Sequence, residues 1–274
     1  MNVLKFTSRQ VSSTRALSTK VAVVFSGCGV YDGTEITEGV STLIHLSASN
    51  TPYKIYAPDA NQMHVINHTT GDEQEETRNV LVESARIARG DVSPLSTLDP
   101  SNYSALIIPG GFGAAKNLSS FATEGPDMSV NEDLASVIAG FKDQQKPLGA
   151  CCIAPTILAR SIPSASLTVG QSSGSHEEWP YQVNCITRHL SQLQREIHQR
   201  ASTGILNSSL CSSSQEAAGA IEAMGGKHVD TEIDGFHIDE DNKIVTSAAY
   251  MKNATPLEVH ESVGLMVKKV LSLI

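Results

Sequence analysis

The sequence predicts an α/β fold in which a mostly parallel β-sheet carries helices on both faces. Short apolar runs rich in β-branched residues, such as 21–25 and 105–111, alternate with helical segments such as 77–90. This alternation is typical of parallel strands joined by helical crossovers. The chain has 274 residues, of which 40% are hydrophobic and 18% charged. That composition supports a folded domain and argues against general disorder.

The predicted strands are apolar runs that end at glycine or proline turns. They lie at 21–25, 53–58, 105–111, 146–155 and 167–170. The predicted helices have apolar residues three or four positions apart, which places those side chains on one face. These helices lie at 34–48, 77–90 and 131–144, and a further one follows Pro155.

The C-terminal region predicts a β-hairpin followed by a long helix. The hairpin spans 235–248 and turns at Asp239–Asn242. The helix begins after Thr255, with Pro256 in its first turn and Glu258 three residues after the threonine. This pattern is a capping box with proline at its preferred position, so the start of the last helix is well defined.

Charge and composition exclude several classes of function. The net charge of −9 disfavours a nucleic-acid partner, which needs a basic surface. No apolar run approaches the roughly 18 residues that span a bilayer, so no membrane span is predicted. The five cysteines include no C-x-x-C pair. The sequence therefore predicts no metal site and no disulfide scaffold, and it favours a reducing compartment.

The first 18 residues predict a mitochondrial transit peptide. They contain three basic residues and no acidic one, and the first acid of the chain is Asp32. A stretch rich in serine, threonine and arginine, without an apolar core, is typical of mitochondrial targeting and differs from a secretory signal. We expect residues 1–18 to be removed and residues 19–274 to form a single domain.

One segment, 182–215, does not follow the alternation of strands and helices. It contains seven serines, five glutamines and one acidic residue, Glu196. Long segments of this kind are uncommon inside compact domains, although a surface loop tolerates them. We interpret the segment as an atypical insert that arises from an alternative or mis-spliced transcript, which a comparison of the cDNA with the exon boundaries would test.

Candidate functional residues lie where strands end, because the carboxyl ends of parallel strands meet at one edge and bind ligands there. Cys152 is the leading candidate, since it lies where a predicted strand meets a helix. Helix N-terminal amides at such an elbow favour a thiolate and lower the thiol pKa. The alternative is that Cys152, like its neighbour Cys151, is a small core residue.

Two acids and two glycines accompany this cysteine. Glu35 and Glu38 are one turn apart at the start of a predicted helix and share a face. They can hydrogen-bond a thiol, or they can simply complement the helix dipole. Gly110 and Gly111 end a predicted strand, where backbone amides can stabilise an oxyanion or the glycines can simply allow a turn.

The glycine-rich loop 27–33 is similar to a dinucleotide-binding fingerprint but lacks one of its required residues. Asp32 stands where that pattern needs glycine or alanine. A carboxylate there would repel a pyrophosphate, so we expect neither a nicotinamide nor a flavin. No cofactor is predicted.

Several long motifs occur in order and together resemble the ElbB family of the PfpI/ThiJ-like superfamily, which has vertebrate mitochondrial members. They are S-G-C-G-V-Y-D-G-T-E-I-T-E, A-P-D, V-I-N-H, I-I-P-G-G-F-G-A-A-K-N-L-S, C-I-A-P and D-E-D-N-K-I-V-T. The resemblance covers about 20–181 and 216–274. It implies a flavodoxin-like three-layer sandwich of the class I glutamine amidotransferase type.

The resemblance also implies roles for individual residues. Cys152 matches the nucleophile of the superfamily, and Glu38 matches the acid that contacts it, with Glu35 as the near alternative. Gly110 and Gly111 match the glycine turn beside the nucleophile. Together with Ile153, they are the residues expected to bind an oxyanion or substrate. If ionised, Glu38 would raise the thiol pKa; if protonated, it could donate to a thiolate and lower it.

The implied activity is weak, cofactor-independent glyoxalase or deglycase chemistry on small dicarbonyl compounds. The alternative is a non-enzymatic mitochondrial protein that acts in organelle maintenance or redox sensing. Gly170 stands where related proteins carry a histidine, so a full Cys-His-Glu triad and glutaminase activity are not expected. Because superfamily members often form dimers, a homodimer is a further expectation.

The composition of the N-terminus yields a first test. We expect residues 1–30, fused to a fluorescent reporter, to direct it to mitochondria, because their positive charge favours import. Replacement of Lys5, Arg9 and Arg15 by glutamine is the control and should abolish the targeting. A diffuse cytosolic signal from the unaltered fusion would contradict the prediction.

Overall fold

The computed structural model describes residues 19–172 and 214–274. The predicted transit peptide and nearly all of the predicted insert therefore lie outside the described residues. Ser214 and Gln215, the last two residues of that insert, form the first residues of a helix.

The described residues form a three-layer α/β sandwich around a mostly parallel sheet, which confirms the predicted fold class. The nine strands of the described residues are β1 Val21–Val24, β2 Tyr53–Ala57, β3 Val92–Pro94, β4 Ala105–Ile108, β5 Leu148–Cys151, β6 Ser166–Leu167, β7 Lys227–His228, β8 His237–Asp239 and β9 Ile244–Ser247. Seven of them form one sheet in the order β3-β2-β1-β4-β5-β9-β8. Its neighbours are parallel except β8, which pairs antiparallel with β9 as the predicted hairpin requires.

The strand predicted at 167–170 is shorter than expected and lies outside the main sheet. Only Ser166–Leu167 is extended, and it pairs with Lys227–His228 in a separate two-stranded sheet. The strand ends at Leu167, because the next residues form a tight local hydrogen bond. The amide of Gly170 donates to the hydroxyl of Thr168 at 3.0 Å, and Gly170 has φ +106°. Residues 168–170 therefore belong to a turn.

Helices cover both faces of the main sheet. They are α1 Ile36–Ala48, α2 Val80–Ala88, α3 Phe112–Lys116, α4 Phe121–Glu124, α5 Glu132–Asp143, α6 Pro155–Ser161, α7 Ser214–Ala223 and α8 Pro256–Ser272. α1 packs against α8, and α5 and α6 pack on β4 and β5. The predicted capping box begins α8: Thr255 accepts a hydrogen bond from the Glu258 amide, and the Glu258 carboxylate accepts one from Thr255.

The core consists of the central strands and the helix faces that cover them. β1, β4, β5 and β9 are buried along their whole length, as expected for parallel strands with helices on both sides. This explains why β1 and β4 are continuous apolar runs without polar alternation.

Helix α1 leaves one row of its apolar residues exposed and buries polar residues in their place. Ile36, Val40 and Ile44 lie one turn apart and are 49%, 38% and 47% exposed. The buried face carries Glu38 and Thr42 together with Leu46. This polar face is stable in the interior because its groups are hydrogen-bonded: the Thr42 hydroxyl donates to a helix carbonyl, and the Glu38 carboxylate accepts from backbone amides.

The buried strands yield a stability prediction. Ile107 is fully buried in β4, between β1 and β5. Its replacement by alanine should lower the free energy of unfolding by about 2–5 kcal/mol, because removal of the side chain leaves a cavity. Val82→Ala is the control, since Val82 is 62% exposed on α2 and its truncation should stay within about 0.5 kcal/mol. Urea unfolding of both variants measures the difference, and equal losses would contradict the assignment of the core.

Candidate active site

Cys152 directly follows β5 and adopts a backbone conformation that non-glycine residues rarely have. Its φ is +59°, in the left-handed region. Its amide donates to the carbonyl of Ser247 on β9 at 3.1 Å, and the amide of Ala154 donates to the carbonyl of Cys151 at 3.1 Å. This sharp strand-to-helix turn has the geometry of a nucleophile elbow, in which backbone strain holds the reactive side chain at the sheet edge.

Glu38 brings three separate parts of the chain together. Its carboxyl group is fully buried, and Oε2 accepts a hydrogen bond from the amide of Gly110 at 3.0 Å. Oε1 accepts one from the amide of Tyr250 at 3.2 Å. The Cys152 side chain hydrogen-bonds the same carboxyl group. The acid on α1 is therefore held between the turn after β4, the elbow after β5 and the segment after β9.

Glu35 has a different position from Glu38. It is the N-cap of α1, and its Oε2 accepts the amide of Glu38 at 2.8 Å. Its own amide donates to the carbonyl of Gly110 at 3.1 Å. Of the two acids that the sequence offered, Glu38 is the one whose side chain contacts Cys152, and Glu35 anchors the start of the helix.

The two glycines after β4 are required by the close approach of the chain on either side. A Cβ on Gly110 would lie 2.4 Å from the Cβ of Cys152 and 2.7 Å from Oε2 of Glu38. Gly111 has φ +93°, and a Cβ there would lie 2.3 Å from the Glu35 amide nitrogen. The amides of Gly111 and Ile153 lie beside the Cys152 sulfur and lower its pKa. Backbone amides in such a position can stabilise an oxyanion that forms when a carbonyl carbon bonds to the sulfur.

The loop after β1 supports this glycine turn. The amide of Phe112 donates to the carbonyl of Val30 at 2.7 Å, and that of Gly113 donates to Gly33 at 2.9 Å. Asp32, which breaks the dinucleotide pattern, is buried and accepts the amide of Ile66 at 2.8 Å. The carboxylate of Asp32 therefore fixes the loop from within.

Burial controls the protonation of the acid and the thiol. It raises the pKa of Glu38 to about 8, with a further contribution from the negative charge of Glu35. Burial, followed by the charge of Glu38, also raises the pKa of Cys152 well above that of an ordinary thiol. The backbone amides of Gly111 and Ile153 lower the pKa of Cys152, as expected of amides at such a turn, but burial and the charge of Glu38 outweigh them, so the pKa is raised overall.

Gly170, which stands where related proteins carry a histidine, has a backbone conformation that suits only glycine. Gly170 has φ +106°, so any side chain there would be strained, and a Cβ would lie 3.5 Å from Cβ of Ala248. Ring nitrogens of several histidines in the described residues are engaged elsewhere in the fold. His45 hydrogen-bonds the carbonyl of His260, and His68 bonds the carbonyl of Ile66 and the amide of Tyr31. His228 bonds the amide of Val169, and His237 and His260 bond the hydroxyls of Ser166 and Ser41.

Sequence reasoning missed the contribution of the end of β9 and of the segment that follows it. The amide of Tyr250 binds Glu38, and the carbonyl of Ser247 binds Cys152. The roles of backbone groups leave no mark in residue types, and the segment was therefore overlooked.

Two negative findings apply to residues 19–172 and 214–274. They contain no cluster of three or more histidine, cysteine, aspartate or glutamate side chains arranged to hold a metal ion. None of their helices combines the length and the apolar character that crossing a membrane would demand.

The contact between Glu38 and Cys152 yields a prediction on pH dependence. Glu38→Gln removes the charge that raises the pKa of Cys152, so alkylation of Cys152 by iodoacetamide should begin at a lower pH than in the unaltered protein. The matched control is Asp143→Asn at the end of α5, an exposed acid at the opposite edge of the sheet. An unchanged profile for Glu38→Gln would show that the carboxyl group does not act on the thiol.

Comparisons with known proteins place the chain in a family. No family model matches the chain. The human glutamine amidotransferase-like class 1 domain-containing protein 3, mitochondrial, is 43% identical over 255 residues, covering 93% of this chain and 83% of the human protein. The rat ES1 protein homolog, mitochondrial, is likewise 43% identical, covering 93% of this chain and 84% of the rat protein. Both names confirm the predicted mitochondrial location.

Solved structures agree with the fold. An isoprenoid biosynthesis protein with an amidotransferase-like domain from Ehrlichia chaffeensis superposes with a TM-score of 0.73 at 29% identity, covering 93% of this chain and 99% of that one. Glyoxalase III from Candida albicans shares the fold with a TM-score of 0.53 at 13% identity, covering 94% of this chain and 98% of that one. The chain belongs to the ElbB-like family of mitochondrial ES1 and glutamine amidotransferase-like class 1 domain-containing proteins.

Proposed function

We propose that this protein is a cofactor-independent cysteine enzyme that converts small dicarbonyl compounds, such as glyoxal and methylglyoxal, to hydroxy acids. The observation that carries the proposal is the strained Cys152 elbow, where the thiol meets the carboxyl group of Glu38 and the amides of Gly111 and Ile153. A nucleophile, a proton-transfer group and oxyanion donors are the parts that carbonyl addition needs.

The chemistry follows from these groups. The sulfur of Cys152 adds to the aldehyde carbon of the substrate, the thiol proton passes to Glu38, and the amides of Gly111 and Ile153 stabilise the oxyanion, which is protonated to a hemithioacetal. Removal of the proton from the former aldehyde carbon gives an enediol, and return of a proton to the neighbouring carbon gives a thioester. Water then hydrolyses the thioester to the hydroxy acid and frees the thiol. One molecule of water is added overall, and no external oxidant or reductant is consumed.

Glu38 suits both halves of this proton transfer. Its pKa of about 8 lies close to neutral pH, so both protonation states are accessible during a cycle. Its two hydrogen bonds from Gly110 and Tyr250 fix the carboxyl group beside the sulfur. The role needs no histidine, which is consistent with Gly170.

A second candidate is a non-enzymatic mitochondrial protein that senses oxidants or maintains the organelle. Two observations favour it: Cys152 is only 8% exposed, and its pKa is raised, which lowers the fraction of reactive thiolate. The transit peptide, the single domain with its insert at 182–215, and the homodimer remain predictions under either function.

The test is turnover of glyoxal and methylglyoxal by protein that lacks residues 1–18, in a buffer without amines or thiols. Cys152→Ser should abolish the activity because it removes the nucleophilic sulfur, and Glu38→Gln should reduce it by about 10²-fold or more because it removes the proton-transfer group. Cys28→Ser is the matched control, since Cys28 lies on the loop after β1 and has no part in the proposed reaction.

Equal turnover by the unaltered protein and Cys152→Ser, with both folded, would favour the non-enzymatic function. In that case the same assay on protein that also lacks 182–215 shows whether the segment suppresses activity.

A further inference from the structure

The neighbour of the nucleophile, Cys151, has its own contact with the acid of the site. Cys151 ends β5 and is completely buried. Its thiol lies 3.8 Å from Oε2 of Glu38 and is oriented to donate to it. The same oxygen accepts the amide of Gly110 at 3.0 Å. Glu38 is therefore bonded by two adjacent thiols of one strand end, of which the proposed reaction uses only Cys152.

The surroundings of Glu38 make this contact matter. In the described residues, four titratable groups face the carboxyl group: Glu35 from its own helix, Cys151 and Cys152 from the end of β5, and Tyr250 from the segment after β9. No bulk water solvates a fully buried carboxylate, so each hydrogen-bond donor has a large effect on whether it carries a charge. Cys151 can donate S–H to the carboxylate, whereas the charge of Glu35 opposes its ionisation.

Glu38 and Cys152 cannot both be ionised at low cost, because their charges would be adjacent in a buried site. As pH rises, the pair loses a first proton, and the resulting single negative charge is placed on either oxygen or sulfur. A donor whose S–H bond points to the carboxyl group favours the form with the charge on oxygen. The Cys151 thiol is such a donor, since it donates to Oε2 of Glu38.

We propose that Cys151 is a positioning residue whose S–H contact places the first negative charge of the site on Glu38 and keeps Cys152 as a thiol until a carbonyl compound arrives. This inference rests on the pairing of Glu38 with Cys152 in the proposed function. It gives Glu38 the role of base in the addition step, since a carboxylate poised beside a neutral thiol accepts its proton as the carbon–sulfur bond forms. A resting thiol is also protected from oxidation, which requires thiolate character.

The test measures the alkylation of Cys152 by iodoacetamide as a function of pH, quantified on the peptide that contains this residue. Cys151→Ala removes the donor with little change in volume. It should shift the profile to lower pH and speed alkylation about threefold on its rising limb, the size expected for the loss of one modest hydrogen bond. Cys151→Ser keeps a donor and should stay close to the profile of the unaltered protein. No turnover is needed, so the result does not depend on whether the protein is a glyoxalase.

A double-mutant cycle separates the contact from general packing. In the Glu38→Gln background, Cys151→Ala should cause no further shift, because no carboxylate remains to receive the S–H group. Three results would each overturn the proposal: an unchanged profile in Cys151→Ala, an equal shift in Cys151→Ser, or a shift that persists beside Gln at position 38.

A second measurement applies if Cys151→Ala does not fold. The S–H stretching band of Cys151 is assigned in the infrared spectrum as the band that Cys151→Ser removes. In the unaltered protein this band should move to lower frequency as Glu38 ionises, because a hydrogen bond to a carboxylate weakens the S–H bond. A band that stays constant through this ionisation would show that Cys151 only fills space, and would overturn the proposal.

Discussion

The buried carboxyl group of Glu38 is the interaction on which the site depends. It accepts amides from Gly110 and Tyr250 and bonds the thiols of Cys151 and Cys152, so it connects helix α1 with the ends of β4, β5 and β9. A buried acid is stable only when such partners compensate for the loss of water. The cost of this arrangement is a pKa of about 8, which also suits Glu38 to the proton transfer that we propose.

Much of the fold could be predicted because its local signals agree with its topology. Strands such as β1 and β4 are continuous apolar runs. The start of α8 is marked by the capping box of Thr255 and Glu258, with Pro256 in the first turn. Helix α1 could be located but not oriented. Its apolar residues Ile36 and Val40 face outward, and the reason, a polar face satisfied by distant backbone amides, cannot be read from periodicity.

The candidate site could be predicted in its residues but not in its electrostatics. Cys152 and the glycine pair follow from their places at strand ends, Glu38 follows from its place at the start of a helix, and a family resemblance supports all of them. The direction in which the pKa of Cys152 shifts could not be predicted in this way. It depends on how completely the turn buries the sulfur and on the charge of Glu38, which lies on another element. The contribution of Tyr250 was also invisible, since its backbone and not its side chain binds Glu38.

The contact between Tyr250 and Glu38 has a consequence for how the protein is made. The two residues are 212 positions apart, and the partner of the Cys152 amide, Ser247, lies equally late in the chain. During synthesis Glu38 and Cys152 therefore emerge long before the segment that completes their surroundings. Contacts of such long range form late and slow folding. The elbow must remain unfinished, with both thiols unprotected, until the C-terminal strand and helix have joined the sheet.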